Sequence, residues 1–358
     1  MKCSIDYMKQ LKNLLKNIIS VNRILDDINE IYNLLNNEWR NFCDSKILIT
    51  GATGFFGKSI VNAFLYANNK RKLNIELYIV SRNKKITKSY FSVNDENDAL
   101  RFIYQDIKHF KSGMDDINYI IHAASNSDKN FITKNSLETI KTIIFGTANI
   151  LDFSIKQNNL KSFLFISSGA INYANLNTKR PISEQDIYPI KVDDSFSAYS
   201  LAKKTAENMI LSYSKTDDLP VKILRGFTFL GPEININQNL AWTYILKCFL
   251  DGKDIKIKNS ECKRSYMYST DLVNWIIKVL VKARKGSIYN LGSDELISIT
   301  DLAREVIKFN RNLKVTEEVS ETSDFYVPDI SNIKKDLNLV ITVPVKEGIK
   351  RVIDFYSE

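Results

Sequence analysis

Near the start of the chain stands the sequence Ile47-Leu48-Ile49-Thr50-Gly51-Ala52-Thr53-Gly54-Phe55-Phe56-Gly57-Lys58-Ser59-Ile60-Val61. Its apolar beginning predicts a buried strand, its glycines a tight turn, and its end the first turns of a helix. Glycine lets the backbone approach a ligand, and a helix N-terminus offers free N–H groups to an anion, so a pyrophosphate site is expected. A turn that binds nothing is the alternative. The expected cofactor contacts are Gly51, Thr53, Gly54, Phe55, Phe56 and Gly57.

The composition is that of a folded chain with a large core. The 358 residues are 44% hydrophobic and 11% aromatic, which suits one large or two medium domains and argues against disorder. The formal net charge is +9 and favours an anionic partner. Because lysine and arginine are scattered along the chain, a small phosphorylated ligand is favoured over nucleic acid.

Cysteine and histidine are too sparse for a metal site. The four cysteines form no C-x-x-C pair, and the two histidines are His109 and His122. This pattern predicts reduced thiols in a cytoplasmic protein without a metal. No apolar run is long enough to span a membrane, and we expect no secretory signal.

The first segment predicts one long helix over residues 4–42. Its apolar residues recur at alternating steps of three and four, and additional ones widen the stripe beyond a coiled-coil seam. Three interpretations remain: the helix packs on its own domain or on a sister subunit, it docks another enzyme, or it binds a membrane surface. Acidic residues that interrupt its basic face disfavour the membrane.

From residue 46 onward, apolar runs alternate with longer amphipathic segments. Such alternation predicts an α/β fold, a Rossmann-like, doubly wound parallel sheet with helices on both faces. After about residue 232 the alternation stops, and a smaller C-terminal substrate lobe is expected there. The predicted domains are an added N-terminal helical segment (1–44), a dinucleotide-binding domain (45–232) and a lobe with some chain returning to that domain (233–358).

The residues at the end of the second predicted strand indicate which dinucleotide the chain prefers. In a dinucleotide fold this end faces the adenosine ribose, where an acid would accept from the 2′-hydroxyl of NAD. The chain has Ser81 and Arg82 there, which could instead bind a 2′-phosphate. We therefore expect NADP, with NAD less favoured and a solvated basic turn as the alternative.

The next two predicted strands end in residues suited to the rest of a dinucleotide. Asp106 can accept from the adenine amino group while Ile107 packs on the ring. Small residues after the fourth strand would let the pyrophosphate and the nicotinamide ribose lie against the backbone, and we expect contacts from Ala123, Ala124 and Ser125. His122 is expected to pack or hydrogen-bond rather than to act as an acid or base.

The reactive groups are predicted at a later strand and the helix that follows it. Ser168 ends an apolar strand, and Tyr199 and Lys203 lie one helical turn apart on one face. A free phenol is a poor base near neutrality. A nearby ammonium and an oxidised nicotinamide would both lower its pKa, so Tyr199 could act as an acid/base beside the cofactor. Ser168 would orient the substrate oxygen.

Together these motifs are similar to those of the extended short-chain dehydrogenase/reductase family, the epimerase/dehydratase group that modifies nucleotide-activated sugars. The resemblance runs from about residue 46 to the C-terminus and includes segments 224–232, 264–272 and 289–292. It implies that Tyr199 is the base, Lys203 its partner and Ser168 the hydroxyl that binds the reacting sugar oxygen.

The same resemblance implies a nucleotide-diphosphate sugar as partner, a homodimer formed through two helices per subunit, and a place in bacterial-type surface-polysaccharide synthesis. Arg264 would contact the diphosphate, which the guanidinium geometry suits. Gly169 and Thr228 would contact substrate. Thr228 stands where the family often has Asn, and Asn172 where it often has Tyr.

Departures from the family pattern narrow the chemistry. Dehydrating members carry an Asp-Glu pair after the strand-end hydroxyl, and decarboxylating members a Glu, whereas this chain has Gly169 and Ala170. Members that epimerise at C3/C5 use a histidine in the lobe, and no histidine follows His122. Hydride transfer at sugar C4 remains, as a 4-epimerase or 4-ketoreductase. A 4,6-dehydratase and a non-catalytic dinucleotide-binding sensor or assembly protein are the alternatives.

Overall fold

A computed structural model describes residues 22–91, 99–175, 180–186, 189–190, 192, 197–258, 260, 262–318 and 324–357. Residues 4–21 of the predicted N-terminal helix lie outside these ranges. Among the described residues, no helix is both long enough and apolar enough to cross a membrane.

The strands, in chain order, are β1 Lys46–Thr50, β2 Glu76–Ser81, β3 Leu100–Tyr104, β4 Tyr119–His122, β5 Ser162–Ser168, β6 Val221–Gly226, β7 Phe229–Leu230, β8 Ile255–Ile257, β9 Lys263–Ser265, β10 Met267–Tyr268, β11 Ser287–Leu291, β12 Leu296–Ser298, β13 Val315–Glu317 and β14 Phe325–Tyr326.

The helices are α1 (22–35), α2 Phe55–Arg71, α3 Lys84–Phe91, α4 Lys129–Lys134, α5 Ser136–Ser154, α6 Ser197–Thr216, α7 Ala241–Leu250, α8 Ser269–Lys282, α9 Ile299–Ile307, α10 Ser331–Leu337 and α11 Val345–Ser357. Three 3₁₀ segments, Asn36–Phe42, Ile107–His109 and Gly169–Asn175, complete the description.

Seven strands form one sheet in the order β11-β6-β5-β4-β1-β2-β3, and every neighbouring pair is parallel. The predicted Rossmann-like α/β fold is confirmed. Six strands of this sheet, β1 to β6, overlap the apolar runs of the sequence, which lie at residues 46–50, 75–81, 101–107, 117–124, 161–168 and 220–227. The seventh strand, β11, comes from beyond residue 232 and returns to pair with β6.

Alternating side chains of each strand enter two different cores. Ile47 and Ile49 of β1 face α2 and α8, whereas Leu48 faces α5 and α6. This alternation follows from the period of two in a strand, and it explains why the central strands are apolar on both faces. A third core lies in the C-terminal lobe and centres on Trp242, Leu302 and other apolar residues of α7, α9 and α11.

The first described helix packs on the chain's own domain. Leu35, Trp39 and Phe42 are completely buried in the core shared by α2 and α8. The helix is shorter than predicted, because the α-helical part ends at residue 35 and a 3₁₀ segment follows. Asn36, where φ is +20°, begins that segment.

A buried carboxylate ties this helix to the lobe. Asp27 of α1 is 5% exposed, and it accepts a hydrogen bond from the Tyr268 hydroxyl at 2.6 Å. Arg23 lies at 2.8 Å and Arg351 of α11 at 3.4 Å. Burial raises the pKa of Asp27 to about 6, although the hydrogen bond from Tyr268 and the charges of the two arginines lower it.

The shifted pKa of Asp27 predicts a specific pH dependence. Because its folded-state pKa lies above the unfolded value, this group's stabilisation is full below the unfolded pKa and is lost as pH rises through about 6. The stability of the unmodified protein relative to Asp27→Asn should therefore rise by up to about 3 kcal/mol between pH 7 and pH 4. Denaturant unfolding at several pH values measures this difference. Asp26→Asn, at a side chain 70% exposed on the same helix, is the control, and a pH-independent difference for Asp27→Asn would contradict the shift.

Candidate active site

The glycine-rich turn is shaped by close contacts at the carboxyl edge of the sheet. Gly51 has φ +75°, and a Cβ there would lie 2.7 Å from the carbonyl carbon of Ala123 after β4. At Gly57 a Cβ would lie 2.3 Å from the Ala52 Cα. Both positions therefore require glycine, the first for its backbone conformation and the second for packing of α2 on the turn.

The beginning of α2 fits the phosphates of a dinucleotide. Its N-cap residue is Gly54, and no side chain caps the helix. Among the described residues, no capping side chain accepts from the first N–H groups of the helix, at Phe55, Phe56 and Gly57. Backbone donors and the positive end of the helix dipole are the groups that bind a pyrophosphate. Thr53 completes the predicted loop and lines an adjoining cleft with Gly54.

A buried hydrogen-bond chain supports this edge. The N–H groups of Ala123 and Ala124 both donate to Thr50 Oγ1 at 3.2 Å, and that oxygen lies 2.7 Å from His122 Nδ1. His122 Nε2 lies 3.2 Å from Thr147 Oγ1. Burial lowers the pKa of His122 to about 3. The imidazole is therefore neutral at physiological pH, and it holds the ends of β1 and β4 together.

The residues predicted around adenosine lie next to one another. Arg82, which follows β2, is 3.7 Å from Asp106, which follows β3. Ser81 Oγ accepts a hydrogen bond from Thr87 at 2.7 Å. Ile107 packs against α5, where a Cβ at Gly146 would lie 2.8 Å from its side chain.

Two charged side chains of this region were not singled out from the sequence. Lys108 and Glu138 form an ion pair at 2.6 Å. Lys108 also lies 3.7 Å from Asp106, and Glu138 lies 3.9 Å from Arg82. Lys108 is only two residues beyond Asp106, but Glu138 comes from α5 and no local pattern marks it.

The three predicted catalytic residues meet where β5 ends. Tyr199 and Lys203 lie in the first turns of α6, and both are buried. The Tyr199 hydroxyl is hydrogen-bonded to Ser168 at the end of β5 and to Ser125 after β4. The structure thus joins a predicted catalytic pair to a residue predicted for the cofactor.

Lys203 is held by the strand behind it. Its Nζ donates to the Ile166 carbonyl at 2.7 Å, lies 4.5 Å from the centre of the Phe165 ring and 5.9 Å from that of Tyr199. Burial lowers the pKa of Lys203 to about 7, although the Glu207 carboxylate opposes the shift.

The sequence predicts a lowered pKa for Tyr199 beside both an ammonium and an oxidised nicotinamide, whereas in the protein alone the shift has the opposite direction. Burial raises the pKa of Tyr199, and the hydrogen bonds from Ser168 and Ser125 offset this only partly. In the protein alone, desolvation of the phenolate therefore outweighs these two hydrogen bonds. A positive charge placed beside the phenol would shift its pKa in the opposite direction.

Behind the catalytic pair lies a buried ion pair. Glu207 of α6 binds Arg225 of β6 at 2.8 Å and accepts from Ser167. Arg225 also donates to the Glu184 carbonyl at 2.6 Å. The pair thus fixes α6 to the sheet and to the segment 180–186.

The predicted substrate residues are engaged with the lobe. Thr228 donates its hydroxyl to the Ser265 carbonyl. Arg264 is ion-paired with Asp324 and lies over the Tyr326 ring at 5.7 Å. The Arg264 guanidinium, which is expected to contact the diphosphate, is thus bound to a carboxylate of the lobe.

The floor of the substrate side is closely packed. A Cβ at Gly169 would lie 2.7 Å from both the Phe227 ring and the Tyr326 hydroxyl oxygen. Asn172 is buried, and its Nδ2 has no hydrogen-bond partner among the described residues. In the described part of the chain, no three His, Cys, Asp or Glu side chains converge on a metal position.

The fold and this constellation define a class: a dinucleotide-dependent enzyme with a tyrosine, a lysine and a serine at the carboxyl edge of a Rossmann-like sheet. The model of the NAD dependent epimerase/dehydratase family matches residues 47–292. The chain belongs to this family, and it is an extended short-chain dehydrogenase/reductase enzyme.

Known relatives and structures agree with the family. UDP-glucuronic acid decarboxylase 1 of Xenopus tropicalis is 24% identical, over 87% of this chain and 72% of its own. Of the solved structures, UDP-glucose 4-epimerase of Thermotoga maritima has a TM-score of 0.71 at 20% identity, over 87% of this chain and 98% of its own. A dTDP-glucose 4,6-dehydratase of Streptomyces venezuelae has a TM-score of 0.73 at 18% identity, over 87% of this chain and 97% of its own.

The packing at Gly57 predicts a strong effect of a single methyl group. Gly57→Ala should lower the free energy of unfolding by at least about 1–3 kcal/mol, because α2 must move off the turn. Displacement of the helix N-terminus should also weaken dinucleotide binding by at least about ten-fold. Denaturant unfolding and nicotinamide fluorescence titration measure the two effects.

Gly113→Ala is the matched control, because nothing lies within 4 Å of a Cβ there. It should leave both quantities almost unchanged. Equal behaviour of the two variants would show that the turn tolerates a side chain.

Proposed function

We propose that this chain is an NAD(P)-dependent nucleotide-sugar oxidoreductase that transfers hydride at C4 of the sugar, as a 4-epimerase or a 4-ketoreductase. The observation that carries the proposal is the buried Tyr199 hydroxyl. It is hydrogen-bonded to Ser168 and Ser125, one helical turn from Lys203, at the edge where the glycine-rich turn opens.

The residues around the reacting carbon have separate tasks. Ser168 holds the sugar hydroxyl, and Tyr199 Oη accepts its proton as the C4–H bond breaks; in reduction Tyr199 returns the proton. Lys203, fixed by the Ile166 carbonyl, stabilises the phenolate. Hydride acceptance and donation, with a positive charge in the oxidised form, are what a bound nicotinamide supplies. That charge is the contribution that the raised pKa of Tyr199 calls for.

Chemistry confined to C4 is supported by the two residues after Ser168. Gly169 and Ala170 carry no group that could move a proton, and Phe227 and Tyr326 fill the space beside Gly169. Elimination of water or loss of carbon dioxide needs an acid or base beyond the tyrosine. The decarboxylase relatives are only 24% identical, so their reaction is an outcome to test here.

The cofactor preference proposed is NADP over NAD. Arg82 follows β2 with its side chain 59% exposed, and the end of that strand, at Ser81 and Arg82, has no acidic residue to accept from a ribose 2′-hydroxyl. A guanidinium suits a 2′-phosphate. Among the structures similar to this one, a 4,6-dehydratase and a UDP-glucuronic acid 4-epimerase were solved with NAD, which makes the direct comparison of the two cofactors informative.

We also propose a cytoplasmic homodimer that makes sugars for surface polysaccharides, with the domain boundaries given from the sequence. The dimer is supported by α5, which exposes Leu137 and Phe145 by 62% and 51%. Burial of such side chains against a second copy is favourable. Light scattering at micromolar concentration tests the dimer.

Product analysis tests the function directly. UDP- and dTDP-linked hexoses, 4-keto sugars and uronic acids are incubated with NADPH or NAD, while absorbance of the reduced nicotinamide is followed. Stoichiometric NADPH consumption identifies a reductase, and an isomer formed without net redox change identifies an epimerase. A 4-keto-6-deoxy product or release of carbon dioxide would replace the proposal with a dehydratase or a decarboxylase. Cofactor binding without any turnover would favour a sensor.

Removal of the base should separate catalysis from binding. Tyr199→Phe should lower turnover by at least about 10²-fold, because no other group accepts the proton, and should leave cofactor affinity almost unchanged. Steady-state kinetics and fluorescence titration provide both values.

Tyr78→Phe is the matched control. It removes a hydroxyl that donates to Glu76 at the opposite edge of the sheet. Turnover by Tyr199→Phe equal to that of Tyr78→Phe would remove the assignment of the base.

A further inference from the structure

Four charged side chains meet at the adenosine end of the cofactor site. We call Arg82, Asp106, Lys108 and Glu138 the adenosine charge cluster. The two cations each contact both acids: Arg82 lies 3.7 Å from Asp106 and 3.9 Å from Glu138, and Lys108 lies 3.7 Å and 2.6 Å from the same acids. With all four ionised, the cluster carries no net charge.

The two cations are held very differently. Lys108 is 16% exposed and donates a hydrogen bond to Glu138 at 2.6 Å. Arg82 is 59% exposed, and both of its ion pairs are longer than a hydrogen bond. Arg82 is therefore the cation that can turn toward a ligand, whereas Lys108 stays with its acid. The bond from Lys108 also lowers the pKa of Glu138, which keeps that carboxylate charged at neutral pH.

We infer that Glu138 is a cofactor-specificity residue, which competes with the 2′-phosphate of NADP for Arg82 and so narrows the preference for NADP over NAD. The inference rests on the proposed function, in which Arg82 binds that phosphate. Glu138 comes from α5, 56 positions along the chain from Arg82, and lies 3.9 Å from its guanidinium.

The charges explain the direction of the effect. A 2′-phosphate brings about two negative charges, and Glu138 both repels them and attracts the guanidinium that should meet them. A ribose 2′-hydroxyl is neutral and meets no such competition. Loss of the Glu138 charge should thus strengthen NADP binding and leave NAD binding nearly unchanged. Asp106 lies 3.7 Å from Arg82, but it is expected to accept from the adenine of either cofactor, so its substitution would change the binding of both cofactors.

Binding of NADPH and NADH to the full chain, measured by fluorescence titration, tests the inference without turnover. Glu138→Gln removes the charge but keeps an oxygen that can accept from Lys108. It should tighten NADPH binding by about three- to five-fold, as expected for a partly exposed charge. NADH affinity should change by less than about two-fold, and the gain for NADPH should shrink as salt is added.

Glu76→Gln is the matched control. Glu76 lies at the opposite edge of the sheet, 3.7 Å from Arg101, and its side chain is 35% exposed against 37% for Glu138. It should leave both cofactor affinities unchanged, and an equal gain from both variants would overturn the inference by showing only an effect of net charge.

Arg82→Met separates the inference from the proposed function. If this variant weakens NADPH binding and Glu138→Gln does not tighten it, the inference fails and the 2′-phosphate assignment stands. If Arg82→Met leaves NADPH affinity unchanged, the assignment of the phosphate and the inference both fail. A gain from Glu138→Gln that vanishes when Arg82→Met is added supports competition for that one guanidinium.

Discussion

One buried ammonium governs the geometry of this site. Lys203 Nζ lies between β5 and α6, where it donates to the Ile166 carbonyl and lies over the Phe165 ring. A buried polar group costs free energy unless it is hydrogen-bonded, so a shift of α6 along the strand would leave Lys203 Nζ without the Ile166 carbonyl. Because Tyr199 lies one turn earlier on the same helix, the bond that satisfies the lysine also sets the tyrosine beside Ser168.

The same ammonium explains the polar network behind it. Glu207, one turn after Lys203, supplies the carboxylate that opposes loss of its charge, and Arg225 neutralises that carboxylate in turn. Arg225 reaches the backbone of Glu184, whose side chain accepts from the Asn290 N–H of β11 at 2.8 Å. The catalytic helix, the sheet and the segment 180–186 are thus joined by one set of bonds. A partly satisfied network would be worse than an apolar core, which makes its members interdependent.

Local patterns predicted the parts of this molecule that local physics decides. The glycine-rich turn follows from glycine stereochemistry, strands β1 to β6 from continuous apolar runs, and the shared helix face of Tyr199 and Lys203 from a period of about 3.6 residues. The pairing of β11 with β6, and the contacts of Glu138 and Asp324 with their arginines, join residues 56 or more positions apart and depend on tertiary packing. The raised pKa of Tyr199 was missed for the same reason, because burial is a property of the assembled fold.

The helix that precedes the family segment is part of the core rather than an attachment. The family model begins at residue 47, yet Leu35, Trp39 and Phe42 before it are completely buried. Complete burial of such side chains contributes roughly 1.5–3 kcal/mol each, and the net stability of a domain is only about 5–15 kcal/mol. Without these three side chains, the apolar surface of α2 and α8 would be exposed to water, and much of the free energy of unfolding would be lost. Since α2 also presents its N-terminus to the expected phosphates, the described part of the extension supports the cofactor site from behind.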